Sequence, residues 1–318
     1  MPTKLACPYA LGSIFNIEIS PPQAAPFIAK AKVVHVYSPF TMSSVMRIAL
    51  TSQSTDMMLP GEAVLKVYDR RFADGIRKEY DIDLPTHEGE ARYAGYLQSG
   101  NAAHTKDQID EAAYQLPDDA PELIELGEHM VSILSRSLFE SEKAVYSVLS
   151  SMQGKYIPTF YGTTRLLGEP LFSFDTDVPG ILVEFIPGTN LSHIDPTRID
   201  LHAVCSTAVD IVNCYSDLNV LNRDMRLENF IVKPSGSGVM MIDFGHCRIR
   251  REDENDQAWG EAKCIEDEEG AIGYVVQNKF GWNYVKSGRY TVYAETAYIK
   301  SEWFNPETRK IEFVYIGC

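Results

Sequence analysis

At 318 residues, 45% hydrophobic and 23% charged, the chain can bury a well-filled core as one large two-part domain or two ordinary ones. Its formal net charge of −15 repels phosphate backbones and disfavours broad nucleic-acid binding. No apolar run is long enough to span a bilayer, and residues 1–15 lack the charged-then-apolar pattern of a signal peptide, so no membrane partner is expected. Six scattered cysteines without C-x-x-C spacing read as reduced thiols of a cytoplasmic protein, and seven dispersed histidines suggest no zinc site.

Residues 1–27 carry Pro21, Pro22 and Pro26 with little periodicity and read as an irregular lead-in. Three β-rich runs follow, at 33–37, 45–50 and 62–68, and are expected to form an antiparallel meander. Lys66 sits inside the third, where a lysine is costly unless it is paired or faces a cleft. The loop between the first two runs, 38–44, holds no glycine, and Pro39 removes a backbone donor.

A polar insertion spans about 69–138, and its last part, 120–138, has helical spacing that continues or restarts through 152. Glu142, Tyr146 and Leu149 share one face of that helix. Runs at 159–163 and 180–186 read as strands, with Asp175 and Asp177 in a polar turn between them. Residues 196–218 and 270–279 read as helices, 311–316 as a strand, and the acidic segment 252–269 as a solvated loop or helix end. Cys318 is not in a C-a-a-X box, so prenylation is not suggested.

The most informative stretch is 221–245, LNRDMRLENFIVKPSGSGVMMIDFG. Two short apolar runs, 230–232 and 239–242, flank a Gly/Ser turn, and a hairpin there would bring Asp224, Asn229 and Asp243 to one end. Carboxylate and amide oxygens so gathered suit Mg²⁺. Asn222-Arg223-Asp224 with Asn229 five residues on, followed by Asp243-Phe244-Gly245, resembles the catalytic and metal-binding loops of the protein-kinase superfamily. The strand around Lys66 is similar to the kinase lysine strand, and the long insert after it resembles a fungal, atypical kinase-like group.

The resemblance implies an α+β, protein-kinase-like two-lobed fold. It has an antiparallel-sheet N-lobe at 28–183 and a mainly helical, shortened C-lobe at 184–318. It implies ATP and Mg²⁺ as cofactors and phosphoryl transfer to a small-molecule or atypical acceptor, because the A-P-E motif is missing. Asp224 would act on the acceptor hydroxyl and Arg226 would neutralise the moving phosphoryl group. Asn229 and Asp243 would hold the metal, and Lys66 would grip the phosphates with Glu142 as partner and Glu140 as runner-up. The Glu184 carbonyl and Ile186 amide would meet the adenine edge. The alternative is a repurposed kinase-like architecture, either a pseudokinase scaffold or a fungal aminoacyl-tRNA-dependent, arginine-containing cyclodipeptide synthase. In the latter case the acceptor is an aminoacyl group and tRNA is the partner. The glycine-free loop favours that class.

Overall fold

The computed structural model describes residues 4–52, 60–100, 102–167, 178–305 and 310–317, and is α+β. The chain divides into two units, Met1–Lys143 with Thr159–Phe185, and Ala144–Pro158 with Ile186–Cys318. The Asp175 and Asp177 turn and Cys318 lie outside the described residues.

The first unit opens with β1 (Ile14–Ser20), β2 (Phe27–Tyr37), β3 (Ser44–Ser52) and β4 (Glu62–Val67). Helices α1 (Asp74–Glu79), α2 (His87–Gln98), α3 (Lys106–Tyr114) and α4 (Glu122–Val148) follow, the end of α4 belonging to the second unit. Then come β5 (Phe160–Leu167) and β6 (Pro179–Glu184). Side chains alternate across each strand, so Ile17 and Ile19, Ala29 and Ala31, Met46 and Ile48, and Ala63 and Leu65 meet in one core. Each large apolar side chain so buried contributes about 1.5–3 kcal/mol.

The sheet is where the structure departs from expectation. An antiparallel-sheet N-lobe of a kinase-like two-lobed fold does not describe it, because six antiparallel strands close into a barrel in the order β1-β2-β3-β4-β6-β5. The closing strand is β1, which pairs with β2 on one side and β5 on the other. It lies within 1–27, the stretch read as an irregular lead-in. Pro21, Pro22 and Pro26 mark the turn after the strand, while Ile17 and Ile19 alternate with Asn16, Glu18 and Ser20 before it. Closure satisfies the backbone groups that an open edge would leave exposed.

Gly162 makes this closure sterically possible. It sits at a register shift of β5, with φ +142°, and a Cβ there would lie 2.4 Å from the Ser20 carbonyl oxygen.

The polar insertion is ordered by buried charge. Arg70 donates to both carboxylate oxygens of Glu90, at 2.7 and 2.5 Å, and to Glu128 at 2.6 Å. Arg77 grips Glu128 through two more bonds, at 2.9 and 2.7 Å. All four side chains are buried, so α1, α2 and α4 are joined by charge-assisted bonds as well as by packing. Burial pushes the Glu90 carboxyl up, and the Arg70 contact opposes that shift.

The second unit carries β7 (Thr189–Asn190), α5 (Leu201–Asp217), β8 (Val220–Asn222), β9 (Phe230–Val232), β10 (Val239–Met241) and β11 (Cys247–Ile249). Helices α6 (Asp256–Glu266) and α7 (Glu268–Phe280) and the hairpin of β12 (Tyr298–Asn305) and β13 (Lys310–Gly317) complete it. Asp200 caps α5 by accepting from Ala203 N at 3.0 Å, and the helix buries Val204, Ala208, Ile211, Val212 and Tyr215.

The acidic run at 266–269 is not a solvated loop. Asp267 adopts φ +40°, separates α6 from α7 and caps α7 through Gly270 N at 3.3 Å. Glu268 and Glu269 are both buried against donors from the same unit. Among the described residues no helix is long and apolar enough to cross a membrane.

Gly162→Ala should destabilise the chain by about 2 kcal/mol or more in urea denaturation, because the backbone there suits glycine and the added methyl meets backbone atoms. Gly61→Ala, where a Cβ would meet nothing within 4 Å, should stay within about 0.5 kcal/mol of wild type.

Candidate functional site

In the first unit, Lys66 and Glu142 meet across 76 positions, with Nζ 2.6 Å from Oε2. The lysine side chain is 10% exposed and the glutamate 1%. Tyr68, two residues on and just past the end of β4, donates its hydroxyl to the same Glu142 oxygen, and its ring packs edge-on against Phe139 of α4. One carboxylate therefore receives two donors from one short stretch of chain. Glu140, the runner-up partner, instead accepts from Lys143 at 2.6 Å on a more exposed part of α4.

The glycine-free loop is fastened down within the same unit. Thr41 accepts from Gly75 N at 2.8 Å, Met42 packs against Ala73, Ile76 and Val131, and Ser43 and Ser44 are buried. Glu184 turns its carboxylate to Thr159, accepting from the backbone N at 3.0 Å and Oγ1 at 2.9 Å.

In the second unit, β9 and β10 pair as an antiparallel hairpin with Met241 opposite Phe230. Ile242 N continues the ladder to Asn229 O at 2.7 Å, which places Asp243 beside the end of the 222–229 loop. Asn229 Nδ2 donates to Asp224 O at 2.9 Å. Only the amide nitrogen can donate to a carbonyl, so this bond orients the side chain and leaves Oδ1 as an acceptor. Asp243 has φ +68°, a left-handed conformation that Asp tolerates better than most residues. The next residue, Phe244, is fully buried with its ring edge-on to Tyr146 at 5.4 Å. Together these contacts bring Asp224, Asn229 and Asp243 to one end of the hairpin.

Asp224 is held from several sides. Asn222 Oδ1 accepts from Asp224 N at 2.7 Å, and Arg226 Nη2 pairs with Asp224 Oδ2 at 2.9 Å. The arginine is 52% exposed, so the pair exchanges readily with solvent or ligand. Beneath the loop, Glu268 accepts from Asn222 N at 2.6 Å and from the Tyr215 hydroxyl at 2.8 Å, and pairs closely with Lys263. Lys263 also donates to Ser216 Oγ at 2.7 Å and Val220 O at 3.0 Å. Burial pushes the Glu268 carboxyl up and the Lys263 ammonium down, while their mutual attraction opposes both shifts.

Three residues of these arrangements carry no strong signal in the sequence. Tyr68 stands two positions after Lys66, just beyond the end of β4, and extending the strand's period of two is the one cue that could have found it. Asn222 stands where the kinase pattern has histidine, and Glu268 is hidden in an acidic run. Ile186 is buried and begins the second unit's portion after β6.

The donor set suits a hard, oxygen-binding cation. Asn229 Oδ1 and the Asp243 carboxylate are two oxygen donors of the kind such a cation would bind. Among the described residues no group of three or more His, Cys, Asp or Glu could hold a metal by itself. Compared with known proteins, the chain matches no family model and no curated protein.

Glu142→Ala would leave the Lys66 ammonium in a buried environment without this carboxylate, and should cost about 3–5 kcal/mol in urea denaturation. Glu142→Gln keeps the shape and an acceptor oxygen and should lose less. Equal stability of wild type and Glu142→Ala would show the contact to be energetically idle.

Proposed function

We propose that the chain is a Mg-ATP-dependent phosphotransferase acting on a small-molecule or atypical acceptor. The observation that carries this reading is the buried Lys66–Glu142 contact at 2.6 Å, made by two residues widely separated in sequence. A buried ion pair is an inefficient way to stabilise a fold, since well-packed apolar residues do as well or better, so its presence favours a lysine kept for its charge. The gathering of Asp224, Asn229 and Asp243 at one hairpin end supports the same reading.

In this reading Lys66 binds nucleotide phosphates while Glu142 and Tyr68 fix its position. Asn229 and Asp243 would hold Mg²⁺, which when bound supplies charge neutralisation at the phosphates. Asp224 accepts the proton of the acceptor hydroxyl. For this Arg226 swings from Asp224 to the transferring phosphoryl group, because a guanidinium left on the carboxylate would weaken it as a base. Asn222 and Asn229 hold Asp224 from its N and O sides, so that little reorganisation is needed as it works. Glu184 and Ile186 are the proposed contacts of the adenine edge.

One observation favours a second reading, a nucleotide-independent transferase or scaffold: the 38–44 loop is pinned to α1 and offers no glycine amides to phosphates. An aminoacyl-tRNA-dependent reaction belongs to this class, and the net charge of −15 weighs against its tRNA partner.

Mg-ATP should raise the melting temperature, since a ligand at a hundred times its Kd stabilises the folded state by about 2.7 kcal/mol. Lys66→Met and Asp243→Ala should each abolish the shift, whereas Asp224→Asn should keep it and lose phosphate transfer. No shift at millimolar Mg-ATP would exclude the first reading and leave the second.

A further inference from the structure

The second unit contains a cavity of about 450 Å³ that none of the proposed catalytic or metal-holding residues line. Its size is that of a small-ligand pocket. Val212, Ile265, Ala294 and Tyr290 form apolar parts of the wall, and Lys286 and Arg289 also line it.

The charges in the wall are unequally committed. Glu268 already receives Lys263, the Tyr215 hydroxyl and Asn222 N. Glu269 receives the Tyr284 hydroxyl at 3.0 Å, Ser287 N at 2.9 Å and the Ser287 hydroxyl. Asp267 takes Gly270 N and Lys286 Nζ. The acidic groups are thus supplied from within the protein. Lys286 and Arg289 are each held by one acid, Asp267 and Asp217, and are 35% and 32% exposed. An ammonium has three donors and a guanidinium five, so both retain N–H groups to offer. Surface pairs of this kind are worth little and exchange partners easily. Spent acids, unspent donors and an apolar wall select a small anion with an apolar tail.

We infer that this cavity binds a small carboxylate bearing an apolar or aromatic tail, with Lys286 and Arg289 taking the carboxylate. Binding is communicated to the 222–229 loop. The route is short: Glu268 lines the cavity and accepts from Asn222 N at 2.6 Å, and Asn222 Oδ1 accepts from Asp224 N at 2.7 Å. The site would exist whether or not the chain transfers phosphate.

Phenylacetate is the probe, titrated calorimetrically into the full chain without nucleotide. One saturable site is expected. Its affinity should fall by at least about tenfold, or 1.4 kcal/mol, in Lys286→Met/Arg289→Met and in Ala294→Phe, which fills the apolar wall. Inorganic phosphate should bind more weakly than phenylacetate. In ¹⁵N spectra, phenylacetate should shift the Asn222 and Asp224 amides. The ligand assignment is overturned by absence of saturable binding at millimolar phenylacetate, by unchanged affinity in the double variant, or by phosphate binding as tightly. Unmoved loop amides in the saturated protein overturn the coupling. Circular dichroism checks that Ala294→Phe folds, and if it does not, the double variant decides. Because no nucleotide is present, failure here is separate from failure of Mg-ATP to bind.

Discussion

The second unit depends on one buried carboxylate. Glu268 is buried, so it must find its hydrogen bonds inside the protein, and it does so from α5, α6 and the end of β8 at once. The bond to Asn222 N ties the start of the 222–229 loop to the first residue of α7. Every later contact in the loop, from Asn222 to Asp224 to Asn229 to Ile242, is measured from that anchor. A short loop of polar residues would otherwise fray, since it has few apolar contacts of its own.

The first unit solves a related problem with different means. Its barrel is filled by alternating aliphatic residues, and the insertion is tied down by Arg70, Arg77, Glu90 and Glu128. Lys66 is the exception in this arrangement. It belongs to a barrel strand yet points away from the core to a carboxylate on α4, an expensive placement for a charge. Such exceptions to local rules concentrate at working sites, and here the exception coincides with the residue that the motif reading selects on other grounds.

Both units place charged groups where a composition-based reading expects solvent. The insertion reads as polar and the 252–269 segment as a solvated loop or helix end. Instead, the insertion buries two arginines against two glutamates, and the acidic run caps one helix and anchors a loop. Sequence shows a charge but not its partner, and it is the partner that decides between surface and interior.

Local chemistry was therefore readable from the chain alone. The 230–232 and 239–242 runs announced a hairpin, and a lysine inside an apolar strand announced a need for a partner. These follow from side-chain period and turn chemistry, which act over a few residues. The tertiary structure alone decided that β1 closes the barrel, that Tyr68 joins Lys66 on Glu142, and that Glu268 sits under Asn222. Each of these pairs groups far apart in the chain, and such pairings are fixed by the packing of the whole unit rather than by any local preference.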